Sequence, residues 1–124
     1  GVLNAGAANR LMESLGYNDA LHLSFTLHLN HRTSAGISLA GRNILDYDSN
    51  FNTINGQYYS PQDPTSMDLT ADIYIDRTSI EVFIDDGLYS YSMEWHERKP
   101  EGLRFWGTNL TVSCLKVDRV KSIW

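Results

Sequence analysis

The strongest constraint on the fold is a pair of alternating segments joined by an Asp-Gly dipeptide. From Leu69 to Ile75 apolar and polar side chains alternate with a period of two, and they do so again from Ser79 to Asp85. That period is typical of a β-strand with one buried face. Asp86-Gly87 favours a tight primed turn, because both of its residues tolerate positive φ. The sequence therefore predicts a β-hairpin formed by Ser79–Asp85 and Leu88–Trp95.

Short strands are also predicted along the rest of the chain, and one short helix precedes them. The helix is expected over residues 4–16, where Leu11, Met12 and Leu15 share a face and Gly16 can end it. The further strands are expected at Leu21–Leu29, Ile37–Leu39, Ile44–Tyr47, Leu103–Trp106 and Leu110–Val120. Regular spacing without βαβ alternation predicts an all-β protein, an antiparallel two-sheet β-sandwich of the jelly-roll or concanavalin-like kind. At 124 residues, we expect a single domain over residues 1–124.

Charge and cysteine content exclude several classes of partner and site. Ten Lys and Arg against fifteen Asp and Glu give a net charge of -5, so we expect neither nucleic acid nor an anionic membrane as a partner. The single cysteine, Cys114, has no partner for an internal disulfide or a zinc knuckle. We expect it to be a small buried residue.

Acidic and histidine residues give no convincing catalytic or metal site. The local pairs Asp46 with Asp48 and Asp85 with Asp86 are explained more simply by turn geometry than by a glycosidase carboxylate pair. The four histidines lack zinc-ligand spacing, and the acidic loops lack calcium-ligand spacing, so no metal and no cofactor are predicted. These histidines are His22, His28, His31 and His96.

Aromatic and acidic side chains on the predicted strands leave two interpretations open. Proteins hold sugars with an aromatic ring against the C–H face and with charged or amide groups against the hydroxyls. The aromatic candidates are Tyr74, Phe83, Tyr89, Tyr91, Trp95 and Trp106, for which core packing is the alternative. The polar candidates are Asp72, Asp76, Arg77 and Glu81, for which a structural ion-pair cluster is the alternative.

The segment Asp76-Arg-Thr-Ser-Ile-Glu-Val-Phe-Ile-Asp-Asp-Gly87 resembles a known family. It is similar to the Asp-Arg-Ser-Ser, Val-Glu-Val-Phe and Asn-Asp-Gly run of the C-terminal β-sandwich of glycoside hydrolase family 32, the invertases, inulinases and levanases. Tyr47-Asp48 resembles the family's Tyr-Asp element. Leu115–Trp124 resembles its closing strand and terminal Ser-Ile-Trp.

This resemblance implies a module without its own hydrolytic centre. In the family, hydrolysis belongs to an N-terminal five-bladed propeller with Trp-Met-Asn-Asp-Pro-Asn-Gly, Arg-Asp-Pro and Glu-Cys motifs, and this sequence contains none of the three. We therefore expect no catalytic residues and no activity of the isolated domain, with residues 1–20 leading in from a catalytic domain. Its expected partner is the propeller of the same protein, and its expected location is extracellular or periplasmic.

The resemblance also leaves a binding role open. Carbohydrate-binding module family 66, a related group, binds the terminal fructose of fructans, which makes a fructan oligosaccharide an alternative partner. The residues that would carry such binding here are Asp48, Asp76, Arg77, Glu81, Tyr58 and Trp95.

Overall fold

A computed structural model describes residues 1–14, 20–29, 33–61, 67–76, 78–94 and 102–120, with only the backbone described for 119 and 120. One helix and eleven strands occupy this part of the chain. In order they are β1 (Val2–Asn4), α1 (Ala5–Glu13), β2 (Ala20–Leu29), β3 (Ala35–Leu39), β4 (Arg42–Asp48), β5 (Thr53–Ile54), β6 (Gln57–Tyr58), β7 (Asp68–Ile75), β8 (Ser79–Ile84), β9 (Tyr89–Glu94), β10 (Leu103–Gly107) and β11 (Leu110–Val120).

The strands form two antiparallel sheets that pack face to face. The six-stranded sheet has the order β1-β11-β2-β7-β8-β9, and the five-stranded sheet has the order β10-β3-β4-β5-β6. Neither sheet closes into a barrel. The predicted all-β sandwich with one short helix is therefore confirmed. No helix in the described residues is long and apolar enough to cross a membrane.

Alternation along the central strands builds the core between the sheets. In β2 every second side chain from Leu21 to Leu29 is buried, and β7 and β8 show the same pattern. Phe25 of the six-stranded sheet meets Phe105 of the five-stranded sheet edge to face, with ring centroids 5.1 Å apart. Each fully buried aliphatic or aromatic side chain contributes about 1.5–3 kcal/mol. Burial of one face per strand therefore fixes which side of each sheet faces outward.

The hairpin between β8 and β9 forms as the sequence predicts. Its turn closes with the Leu88 amide donating to the Asp85 carbonyl at 3.2 Å. Its two central residues, Asp86 and Gly87, have φ of 57° and 88°. Positive φ at both central positions is the requirement of a type I′ turn, a primed turn whose twist matches that of the flanking strands.

Helix α1 covers an edge of the five-stranded sheet. The Asn4 side chain caps the helix by accepting from the Ala7 amide at 2.8 Å. Further along the helix, buried Asn9 accepts from the Phe105 amide at 2.6 Å and donates to the Phe105 carbonyl at 3.0 Å. The Asn9 amide thus pairs with edge strand β10 much as another strand would, and it blocks that position against pairing with a second chain.

A tyrosine and an aspartate connect the two sheets at the hairpin end. Tyr59, directly after β6, donates its hydroxyl to the Asp85 carboxylate at 2.6 Å. Asp85, directly after β8, also accepts from the Thr70 amide at 3.1 Å. Both side chains are buried. Burial raises the pKa of Tyr59 well above its ordinary value of 10.0, and the hydrogen bond to the Asp85 carboxylate and its charge raise it further.

Close approach of two backbones explains a glycine in β3. An ideal Cβ at Gly36 would lie 1.9 Å from the Leu45 carbonyl oxygen of β4. The register of β3 on β4 shifts between Ile37 and Ser38, and Ile44 and Leu45 are consecutive buried residues. Such a bulge lets the strand bury two neighbouring side chains. Gly36 provides the space that the bulged strand occupies.

Two predictions differ from the structure. The helix predicted over residues 4–16 ends at Glu13 with Ser14 as its C-cap, and Cys114, which the sequence predicts to be buried, is exposed. Strands β1, β5 and β6 are not predicted from the sequence, because two or three residues are too few to show a period. Cys114 lies with φ of 55° where the register of β11 on β2 shifts between Ser113 and Lys116, so this bulge turns it away from the core.

Candidate functional site

The outer face of the six-stranded sheet carries rows of polar and aromatic side chains. Strand register places His22, Tyr74 and Glu81 side by side across β2, β7 and β8. The next row contains Ser24, Asp72 and Phe83. Their buried sequence neighbours face the core, so these side chains point outward. The alternation that builds the core therefore also builds this surface.

A shallow open groove of about 360 Å³ lies on this face beside the hairpin turn. Its lining consists of two aromatic rings, two carboxylates and one glycine: Tyr74, Phe83, Asp72, Asp86 and Gly87. Tyr74 and Phe83 meet edge to face, with ring centroids 5.9 Å apart. Tyr74 remains 43% exposed, so part of its ring is available to a ligand.

His22 orients the two groove residues that lie next to it. Its ring stacks on Tyr74 with centroids 4.2 Å apart and planes 6° apart. Its Nε2 also lies 2.8 Å from Asp72 Oδ1. One side chain thus fixes both an aromatic ring and a carboxylate. Contacts of this kind hold a binding group in place before a ligand arrives, which reduces the entropy that binding must offset.

The groove has the chemical groups that a sugar ring requires. An exposed aromatic surface can pack on the C–H face of a sugar, and carboxylates accept strong hydrogen bonds from hydroxyls. Gly87 has no side chain, so a ligand can approach the backbone of the turn closely. The arrangement suits binding of a neutral, hydroxyl-rich ring at an open surface.

Two predicted binding residues lie on the same outer face as the groove. Glu81 is the cross-strand neighbour of Tyr74, and its carboxylate accepts from the Ser92 hydroxyl at 2.8 Å. Asp76 follows β7 directly, and its amide donates to the Ser79 carbonyl at 2.9 Å. Both are half-buried. They border the groove residues along the strands without lining the groove.

Two other predicted residues lie on the five-stranded sheet. Asp48 pairs with Thr53, and Thr53 pairs with Tyr58, which places Asp48 and Tyr58 two strands apart, or about 9–10 Å. Asp48 accepts from the Asn50 amide at 2.9 Å, as a turn aspartate does. Tyr58 is 66% exposed. The outer faces of a sandwich point away from each other, so this pair does not join Asp76 and Glu81.

The remaining two predicted residues, Arg77 and Trp95, lie outside the described residues. Of the groove residues, Asp72, Tyr74 and Phe83 were candidates by alternation, whereas Asp86 was assigned only to the turn. Asp86 lies in the turn that follows β8, and the aromatic side chain of Phe83 in β8 faces outward. That position is the signal that could have placed Asp86 in the groove. Within the described ranges, no three His, Cys, Asp or Glu side chains are grouped to hold a metal ion.

Comparison with solved structures shows a similarity of fold. No family model matches the sequence, and no curated protein matches it. Among solved structures, exo-inulinase from Aspergillus awamori matches with a TM-score of 0.61 and 16% sequence identity. The match covers 87% of this chain and 26% of the exo-inulinase chain. The resemblance carried by the residues is thus confirmed at the level of fold: this chain folds as about a quarter of an exo-inulinase chain does.

Proposed function

We propose that this chain is the non-catalytic β-sandwich module of a fructan- or sucrose-cleaving glycosidase. The observation that carries the proposal is the fold similarity to part of an exo-inulinase, a match that covers 87% of this chain. The segment Asp76–Gly87, which resembles the corresponding run of family 32, supports it independently. In this role the module packs against the catalytic propeller of the same protein and stabilises it, outside the cell or in the periplasm.

The shares of the two chains that match support the role of one module within a larger enzyme. About three quarters of the exo-inulinase chain has no counterpart here, since the match covers 26% of it. The three propeller motifs of the family are also missing from this sequence. Because a fold by itself does not determine an activity, the proposal needs a direct assay.

The 124-residue chain is expected to release no fructose from sucrose, inulin or levan. A glycosidase needs an acid and a nucleophile or base held on opposite sides of the scissile bond. The motifs that belong to hydrolysis in the family are missing from this sequence. The measurement is fructose released over time, compared with a sample without protein. Release that copurifies with the chain and is lost on Asp86→Asn, which changes the groove but keeps its shape, would contradict the non-catalytic role.

The second candidate function, binding of the terminal fructose of a fructan, is favoured by the groove on the six-stranded sheet. Tyr74 and Phe83 supply aromatic surface, and Asp72 and Asp86 supply hydroxyl acceptors. Glu81, on the same face, is the neighbouring acceptor on the next strand. A shallow open groove buries little of a ligand, so binding would be weak, with a Kd of about 0.01–1 mM.

In this second role, calorimetric titration with levan oligosaccharides is expected to show saturable binding that Tyr74→Ala weakens about tenfold, because one aromatic contact contributes about 0.5–1.5 kcal/mol beyond its area. Tyr58→Ala is the matched control, since this exposed tyrosine lies on the other sheet. Loss of binding in Tyr58→Ala alone would place the sugar on the five-stranded sheet. Absence of heat with levan, inulin and sucrose would exclude the binding role.

A further inference from the structure

Three side chains at one end of the outer face form a connected row across three strands. Asp68 of β7 lies with Oδ1 2.7 Å from His28 Nδ1, and His28 of β2 lies with Nε2 2.7 Å from the Ser113 hydroxyl of β11. The imidazole therefore contacts the carboxylate through one nitrogen and the hydroxyl through the other. This is the connectivity of a Ser-His-Asp triad, in which Nδ1 faces the carboxylate and Nε2 faces the nucleophile.

When the His28 imidazole is neutral, hydrogen-bond chemistry gives the row one direction. A carboxylate can only accept, so His28 Nδ1 carries the proton and donates it to Asp68. In the neutral imidazole, Nε2 is then the acceptor, and the Ser113 hydroxyl donates to it. Asp68 thus selects the tautomer in which His28 can remove the Ser113 proton. A row with the opposite polarity, in which the serine only accepts, would need a protonated imidazole.

The row is accessible from solvent. The His28 and Asp68 side chains are 26% and 38% exposed, and Ser113 is half-buried. The regular pairing of β11 on β2 is interrupted directly after Ser113 by the bulge at Cys114. Each of the three side chains is thus partly exposed, and a small reagent can approach the row from solvent. An open site offers little surface for binding, so it favours small reagents with good leaving groups.

We propose that Ser113 is a nucleophile toward small activated carboxylic esters, with His28 as general base and Asp68 as its positioning residue. This reactivity is separate from glycoside hydrolysis, which the chain is expected to lack. The Ser113 oxygen attacks the carbonyl carbon while its proton moves to His28 Nε2. The tetrahedral intermediate collapses, the bond from carbon to the leaving oxygen breaks, and the leaving alkoxide takes the proton from His28. The acyl group now rests on Ser113. Water then attacks the acyl carbon while its proton moves to His28 Nε2. The bond from that carbon to the Ser113 oxygen breaks, the oxygen takes the proton from His28, and the carboxylic acid leaves.

A fluorophosphonate probe tests this directly on the 124-residue chain. The expected result is one adduct per chain, located by peptide mass spectrometry on Ser113 and missing in Ser113→Ala. His28→Asn should slow labelling by about 100-fold or more, because general-base assistance contributes about 10²–10⁴-fold. Asp68→Asn should also slow labelling, since it removes the group that selects the tautomer. With p-nitrophenyl acetate, an initial burst of one nitrophenolate per chain is expected.

The chain supplies a matched control on the same strand. Ser24 of β2 lies beside Asp72 rather than beside Asp68, so Ser24→Ala should leave labelling unchanged. If Ser113→Ala does not fold, the pH profile decides: the labelling rate of the unmodified chain should rise with a single ionisation that Ser24→Ala keeps and His28→Asn loses. Unlabelled folded chain, or equal labelling of Ser113→Ala, overturns the proposal.

Discussion

An alanine at position 36 is expected to lower the free energy of unfolding by about 4 kcal/mol or more. The added Cβ would lie 1.9 Å from the Leu45 carbonyl oxygen and 2.9 Å from its carbonyl carbon. Both are backbone atoms of the neighbouring strand, which cannot rotate aside as a long side chain can. The strands β3 and β4 must separate, and hydrogen bonds at the centre of the five-stranded sheet would break. Urea denaturation followed by tryptophan fluorescence measures the loss.

The control is the same substitution at a glycine with free space around it. A Cβ at Gly6, in α1, would meet its nearest atoms only at 3.5 Å. Because alanine is the better helix former by about 1 kcal/mol, Gly6→Ala should raise the free energy of unfolding slightly. The pair therefore separates a steric effect from a general effect of glycine replacement. A Gly36→Ala chain as stable as the unmodified one would show that β3 and β4 lie further apart than described.

Replacing Asp85 by alanine is expected to lower the free energy of unfolding by about 3–5 kcal/mol. The substitution removes the acceptor of the Tyr59 hydroxyl and of the Thr70 amide. Asp85 is only 3% exposed, so water does not readily replace the lost carboxylate. Its φ of 51° adds to the effect, since alanine is less tolerant than aspartate of the left-handed region. Denaturant titration measures the change.

Asp85→Asn is the matched control, because asparagine tolerates the same backbone conformation and keeps an acceptor oxygen. Its expected effect is about a third of that of alanine or less, near 1 kcal/mol. Equal losses in the two variants would mean that the charge of Asp85, rather than its hydrogen bonds, stabilises the hairpin end. No loss in either would contradict the contact between the two sheets.

Alkaline pH gives a second measurement of the same contact. The pKa of Tyr59 in the folded chain is raised above the ordinary value of 10.0, so above pH 10 the unfolded chain loses this proton before the folded chain does. The contribution is complete below that pH and declines as pH rises beyond it. Tyr59→Phe should therefore flatten the alkaline loss of stability relative to the unmodified chain, measured by denaturant titration at increasing pH. Burial also raises the pKa of Tyr91, and the charge of Tyr89 raises it further. Part of the alkaline loss of stability therefore remains in Tyr59→Phe.

The local sequence pattern predicts the long strands, whereas the positions of the bulges depend on how the strands pair. The alternation of β2, β7 and β8 is visible in the sequence because each buried residue has the same two-residue spacing to the next. The register shifts after Ile37 and after Ser113 each change that spacing by one residue at a single point. A period measured over several residues does not detect such a shift, and for this reason the exposure of Cys114 was missed.

The candidate site shows the same division. Outward positions for Asp72, Tyr74 and Glu81 follow from alternation. The sequence predicts Asp72 and Glu81 as one polar group with Asp76 and Arg77, and it predicts Tyr74 as an aromatic candidate. Whether Asp48 and Tyr58 join that group depends on which sheet each strand enters, which is not a local property. The two residues lie on the other sheet, so the structure divides the predicted set between two surfaces.

The sequence by itself determined that this chain forms antiparallel strands with one buried face, and that Asp86-Gly87 turns the main hairpin. These features depend on residues that are close together in the sequence, so a short segment is enough to determine them. Only the tertiary structure decided that Tyr59 meets Asp85, that His22 holds both Tyr74 and Asp72, and that Ser113 and Asp68 meet on either side of His28. Those contacts join residues distant in sequence, and the register of packed sheets selects them because a slip by one residue would place each side chain on the wrong face.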